Sequence, residues 1–252
     1  MMIDNVSQIL ISDNTKPLPQ SIQDAINTVK QNFPNCKYKL YNKDELIELI
    51  KRYFNEDTYK SFMKLKPYSY KADLAKFCIT YLKGGWYVDI SIKILAQLSI
   101  KVEPDFIGFE DKGDGFGKPY YLPYAIQASL FYGTPKNIIF EKAIELIIDN
   151  CRKENYGRTP ICPTGPGVLG RALGSVGLKR SSIMGHFMPL TPNHELMNKS
   201  YVLPNGFIFA LHKDAWFRGA QPGDISSLGI TGTNNYLSMY KSGDIFDKEI
   251  VL

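Results

Sequence analysis

Apolar residues recur with helical spacing at Leu74, Phe77, Cys78, Tyr81 and Leu82, and the pattern then switches to alternation: Trp86, Val88 and Ile90 on one side, Tyr87, Asp89 and Ser91 on the other. The switch falls at Gly84-Gly85, a pair that supplies the positive φ needed to end a helix. The spacing predicts a helix over 69–83 and a strand over 86–90, placing Asp89 and Ser91 on a shared strand face. The same reading gives a strand at 8–12, a helix at 20–32, a strand at 37–41, a helix at 43–53 and a short helix at 56–64. A further run at Asp105–Glu110, a helix at 138–152 and a hairpin at 200–211 around Pro204-Asn205-Gly206 follow, then a tail rich in Gly, Asn and Ser. Strands alternating with helices predict an α/β domain with a mainly parallel sheet flanked by helices, spanning residues 1–252 as one unit.

On the predicted helix Asp73 and Lys76 lie three apart and point away from the apolar stripe. Taken alone, a pair of this kind reads first as a surface ion pair; if the helix packs beside the strand, both side chains would reach the pocket that Asp89 faces. The chain has 252 residues, 44% hydrophobic and 22% charged, with 16 Tyr and 14 Phe, enough apolar material for a full core. Cys36, Cys78, Cys151 and Cys162 are too scattered for a disulfide framework or a zinc finger and read as reduced thiols.

The formal net charge of +5 suits an anionic nucleotide or an acidic leaflet. Lys and Arg form no dense run interleaved with aromatics, which argues against a nucleic-acid partner. No long apolar run and no basic-then-apolar N-terminus is visible, so the expectation is a cytoplasmic protein; the Lys51–Lys66 stretch with Tyr53, Phe54, Tyr59 and Phe62 raises a peripheral contact with the inner face of the membrane. The stretch 111–117 lacks the ligand series of a calcium loop, reads as an ordinary loop, and is no P-loop. Nucleophile-elbow and His-Glu-x-x-His patterns are missing, which removes the common hydrolase and metalloprotease readings. His186 and His194 match no pattern and read as structural.

Ala72-Asp73-Leu74-Ala75-Lys76-Phe77 followed by Tyr81-Leu82-Lys83-Gly84-Gly85-Trp86-Tyr87-Val88-Asp89-Ile90-Ser91 resembles the signature of glycosyltransferase family 32, Ser-Asp-Leu-x-Arg-Tyr then Tyr-x-x-Gly-Gly-x-Tyr-x-Asp-x-Asp. Gln8–Ser12 is similar to the family's opening strand, with Leu10 where a Trp would stack on the base; Gln127-Ala128 resembles its Asn-Ala pair, Thr164-Gly165-Pro166 its Thr-Gly-Pro motif, and His212 with Trp216 its closing His and Trp. The resemblance implies a GT-A fold and a retaining hexosyltransferase that moves a sugar from a nucleotide diphosphate donor, UDP-linked by family habit, to a surface glycan such as capsule or lipooligosaccharide. A second reading is a sugar-nucleotide-binding partner or regulator without turnover, because Ser91 and Leu10 replace functional family residues.

By that resemblance Asp89, Asp73 and Lys76 are the catalytic set, with Asp73 and Lys76 at sugar hydroxyls and Asp89 at the ribose or sugar. Ile11, Ser12, Tyr87, Asp89, Ser91 and Trp216 would line the donor. Asp89, Ser91 and His212 would hold a manganese or magnesium ion, weakened because a serine hydroxyl offers less charge than the carboxylate it replaces. Lys93, Lys213 and Arg218 are candidates to supply positive charge that offsets the missing carboxylate, and Thr164-Gly165-Pro166 is expected at the acceptor or sugar, though Gly and Pro alone would also explain a tight turn.

Overall fold

A computed structural model describes residues 4–12, 17–98, 100, 103–112, 125–188, 199–212 and 235–252. Along the chain run β1 (Asn5–Ile9), α1 (Gln20–Asn32), β2 (Lys37–Tyr41), α2 (Lys43–Tyr53), α3 (Glu56–Lys64), α4 (Tyr68–Lys83), β3 (Gly85–Val88) and β4 (Lys93–Ile94). They are followed by β5 (Phe106–Asp111), β6 (Leu130–Gly133), α5 (Ile138–Lys153), α6 (Pro166–Val176), β7 (Ile183–Met188), β8 (Ser200–Val202), β9 (Ile208–Leu211) and α7 (Tyr236–Lys241).

The first helices form where local chemistry asks for them. In α1, Ile22, Ala25, Ile26 and Val29 make the buried stripe. Asn42 opens α2 with a reciprocal cap, its side chain accepting from the Glu45 amide while the Glu45 side chain accepts from the Asn42 amide. Asn55 caps α3 by accepting from the Thr58 amide. Gly84 ends α4 at φ 64°, and Gly85 continues at φ 95°. A Cβ on Gly85 would run into the Asn5 carbonyl, so the helix-to-strand corner is closed by the absence of side chains.

Among the described residues nine strands form one sheet in the order β2-β1-β3-β6-β5-β7-β8-β9-β4. The pairs β1–β2, β1–β3 and β5–β7 are parallel; β3–β6, β5–β6, β7–β8, β8–β9 and β4–β9 are antiparallel. The expected mainly parallel sheet is therefore a mixed one. Helices separate the strands as far as β3 and again between β6 and β7; among the described residues β3, β4, β5 and β6 succeed one another without a helix, and strands so connected are free to pair antiparallel. The 200–211 hairpin forms as expected, as β8 and β9.

The alternation read in β3 divides the core. Tyr87 stacks on Phe131 at 5.4 Å, on the face where Phe77 of α4 and Phe140 of α5 pack. Trp86 packs on the other face against Tyr132, Phe33 and Phe209. The first strand sits earlier than expected, at Asn5–Ile9 instead of 8–12, and pairs residue for residue with β2. Its polar Ser7 and Gln8 are buried, because a strand between two neighbours is covered on both faces.

Candidate functional site

Helix α4 and strand β3 meet at Gly84-Gly85, and this corner brings Asp73, Lys76, Tyr87 and Asp89 into one cluster. The Lys76 ammonium lies 2.8 Å from Asp73 Oδ1 and 3.4 Å from Asp89 Oδ1, and sits 4.8 Å above the Tyr87 ring. The Tyr87 hydroxyl donates to Asp89 Oδ1 at 2.7 Å, and the Thr164 hydroxyl donates to Asp73 Oδ2 at 2.7 Å. The Lys76 side chain is 4% exposed and that of Asp89 is 35%, so the lysine is the buried hub and Asp89 faces outward.

Burial sets the electrostatics. It raises the Asp73 carboxyl above its ordinary range, against the opposing pull of Lys76 and Thr164. Burial alone would lower Lys76, but Asp73 and Asp89 outweigh it and its net displacement is upward. The Tyr87 phenol is pushed well above its usual value by burial, and further by the Asp89 charge. The arrangement is thus a retained cation between two carboxylates, with a neutral phenol as donor.

The cluster borders a cavity of about 350 Å³. Its lining includes Asp73, Lys76 and Asp89 together with Asp111, Gln127, Ala128, Ser129, Gly165, Pro166, Phe187, Lys199 and His212, and Tyr70 and Tyr236 are also at the wall. Gly165 sits tight against the acid cluster: a Cβ there would come to 3.1 Å from Asp73 Oδ2. Tyr236 belongs to α7, in the tail rich in Gly, Asn and Ser, and packs on Tyr70 at 5.7 Å.

Several expected residues therefore converge: Asp73, Lys76, Asp89, His212 and the Gly165-Pro166 and Gln127-Ala128 pairs line the cavity, with Tyr87 directly behind Asp89. Thr164 is fully buried and acts through Asp73. Ser91 does not share a strand face with Asp89, because β3 stops at Val88 and the chain turns, the Ile92 amide donating to the Asp89 carbonyl at 3.0 Å. Ser91 is buried in that turn and is not among the cavity-lining residues. Ile11 is part of the apolar core, and Ser12 lies past the end of β1. Lys93 forms β4 beside Leu211, away from the lining. Trp216, Lys213, Arg218 and His194 lie outside the described residues.

Sequence reading passed over four contributors. Gln8 donates from Nε2 to the Asp89 carbonyl at 3.3 Å and accepts from the Tyr38 hydroxyl at 2.8 Å, fixing the strand end that carries Asp89. Asp111 is the last residue of β5 and not part of a loop. Lys199 and Tyr236 reach the cavity only through the pairing of β8 and the packing of α7. A buried glutamine in a strand flanked by hydrophobic residues is the one signal among these visible beforehand.

Residues 19–111 match the family described as "Glycosyltransferase sugar-binding region containing DXD motif". The matched segment holds Asp73, Lys76, Tyr87, Asp89 and Ser91. Among solved structures the chain is similar to one entitled PaToxG Glycosyltransferase, with TM-score 0.51 and 16% identity over 69% of each chain, a likeness of fold. No curated protein sequence matches. The sequence match is to a sugar-binding region of glycosyltransferases, broader than family 32 and spanning less than half of the chain, and the structural likeness is one of fold.

Proposed function

We propose that the chain is a retaining hexosyltransferase of GT-A type, taking a hexose from a nucleotide diphosphate donor, UDP-linked, to a glycan acceptor of the capsule or lipooligosaccharide kind. The observation that carries this is the Asp73–Lys76–Asp89–Tyr87 cluster bordering a sugar-sized cavity, inside the segment that matches a glycosyltransferase sugar-binding region. Glycosyl transfer needs a held sugar, an oriented acceptor and countercharge where the diphosphate departs. Asp89, outermost of the cluster and braced by Tyr87 and Lys76, is placed to accept from sugar or ribose hydroxyls. Lys76 keeps two carboxylates at fixed positions, and Thr164 holds the second oxygen of Asp73. Lys199 and His212 bring basic groups to another part of the wall, where a diphosphate is favoured.

A divalent cation is what the matched motif ordinarily accompanies. Among the described residues no three of His, Cys, Asp and Glu stand close enough to hold one, and Asp89 Oδ1 already engages Tyr87 and Lys76. The described residues alone do not make a metal site. No helix among the described residues is long and apolar enough to cross a membrane. Work at the inner face of the membrane stays part of the proposal through its lipid-linked or surface-glycan acceptor.

A sugar-nucleotide-binding protein without turnover is the second reading, favoured by Ser91 at the second carboxylate position and off the cavity wall. Titration calorimetry with UDP, GDP and their hexose conjugates, with and without manganese, separates the readings when joined to a donor-hydrolysis assay. The expected outcome is tight binding of one donor, measurable turnover, and a loss of about a hundredfold or more in turnover for Asp89→Ala. Binding without turnover under any condition would leave the second reading standing.

A further inference from the structure

One wall of the cavity is built from a hydrogen-bond chain that the donor reading does not use. The Gln127 side-chain Nε2 donates to Asp111 Oδ2 at 2.7 Å, and the Ser129 hydroxyl donates to Gln127 Oε1 at 3.0 Å. Ser129 Oγ lies 2.5 Å from the Tyr201 hydroxyl; since the single serine proton is committed to Gln127, the tyrosine is the donor of that contact. Every donor in the chain Tyr201, Ser129, Gln127, Asp111 therefore points the same way, and the series ends on a carboxylate. Aligned bonds of this kind polarise one another.

The scaffold under the chain is rigid. Tyr201 is fully buried between Phe109 and Phe187, with ring centroids at 5.1 and 4.9 Å. The Asp111 amide donates to the Ala125 carbonyl at 2.8 Å and the Gln127 amide to the Phe109 carbonyl at 2.9 Å, so residues 125–127 run antiparallel to the end of β5. Asp111, Gln127 and Ser129 all line the cavity that Asp73, Lys76 and Asp89 border. At about 350 Å³ that cavity is at the small end of small-molecule sites, so a ligand held at one wall is within reach of the other.

A carboxylate at the end of such a chain repels phosphate and welcomes neutral hydroxyl donors. We infer that Asp111, oriented by Gln127, is a specificity-determining residue that accepts hydrogen bonds from hydroxyls of the donor's hexose. The inference rests on the donor reading given above and adds to it the part of the donor that this wall recognises. Gln127 presents the carboxylate, and Ser129 and Tyr201 are positioning residues behind it.

The test is calorimetric titration of wild type, Asp111→Asn and Ser129→Ala with UDP, GDP, UDP-glucose, UDP-galactose and GDP-mannose, thermal melting having established that each variant is folded. For the preferred conjugate, Asp111→Asn is expected to bind about tenfold or more weakly, while the matching free nucleotide binds as in wild type. Ser129→Ala, which keeps the charge and frees the amide, should lose a smaller factor on the conjugate alone. Equal losses for conjugate and nucleotide, or unchanged conjugate binding in a folded Asp111→Asn, overturn the inference and leave the donor reading intact. Wild type that binds none of the five overturns the donor reading, and this inference with it.

Discussion

Lys76 shows how much of the site depends on a single side chain. It is buried, close to two carboxylates, and packed over the Tyr87 ring. Replacing it with methionine keeps most of the volume and removes the charge, leaving Asp73 buried without its partner. Breaking one side of a buried pair costs about 3–5 kcal/mol, and Lys76→Met is expected to destabilise by that order in urea unfolding. The double variant Lys76→Met with Asp73→Asn should recover most of the loss. A single-variant loss below about 1 kcal/mol would mean that the pair is far better solvated than its geometry implies. Asp73 and Lys76 were recognisable as a pair from their spacing; that they form a buried hub and not a surface ion pair was settled by Thr164, 91 residues away in sequence.

At the level of elements, the junction of α3 and α4 carries a second buried lysine. Lys71 donates to the carbonyls of Phe62 at 2.6 Å and Met63 at 2.9 Å, closing the C-terminal end of α3. Burial lowers its pKa to about 8, with Lys43 adding to the fall and Cys151 and Asp247 opposing it. Because the folded-state value lies below the ordinary 10.5, the unfolded chain binds more protons between about pH 8 and 10.5, and the burial cost is relieved as pH rises through that window. Below pH 8 the cost is constant. Relative to Lys71→Met, wild type should gain stability by up to about 3 kcal/mol from pH 8 to 10.5, read from urea unfolding at a series of pH values. Taking the difference between the two proteins cancels the raised Cys78 and Tyr38 groups, which act in the opposite direction over the same range; Cys151, which interacts with Lys71, is removed by placing both proteins in a Cys151→Ala background. A flat difference would show that Lys71 is not desolvated.

Elements were also where sequence reading did best. Helices α1, α2 and α4 have apolar stripes, Asn42 and Asn55 cap α2 and α3, and Gly84 stops α4, each signal lying within a few residues of the element it bounds. Strands fared worse. Gln8 and Ser7 look like strand boundaries by polarity, yet both are buried inside β1, and Ser91 looks like a strand residue, yet the strand has ended. A strand's limits are set by the neighbours that pair with it, and those lie far away in sequence.

For the whole molecule, the C-terminal segment ties distant parts together. Leu65 and Phe246 form a bridge, the Lys66 amide donates to the Ile245 carbonyl at 2.9 Å, and the Asp247 amide donates to the Lys64 carbonyl at 2.7 Å. Lys64, itself buried, bonds Glu154 at 2.9 Å and the Ile250 carbonyl at 2.8 Å. Ile245 and Phe246 are core residues. Ending the chain at Gly243 would expose their site and strip Lys64 of one partner. A loss of at least about 4 kcal/mol is expected, seen as a lower denaturation midpoint, since each side chain contributes about 1.5–3 kcal/mol by burial. A truncated protein of unchanged midpoint would show that this strap adds nothing to the fold.

By itself the sequence determined the helices of the first third, the helix-to-strand corner at Gly84-Gly85, and the residue types that meet there, because each follows from spacing and capping among near neighbours. The tertiary structure alone decided the mixed sheet order, the burial of Lys76, the turn that removes Ser91 from the cavity wall, and the chain from Tyr201 to Asp111. Each of these depends on which strand lies beside which, and pairing energy is shared among residues that no local pattern connects.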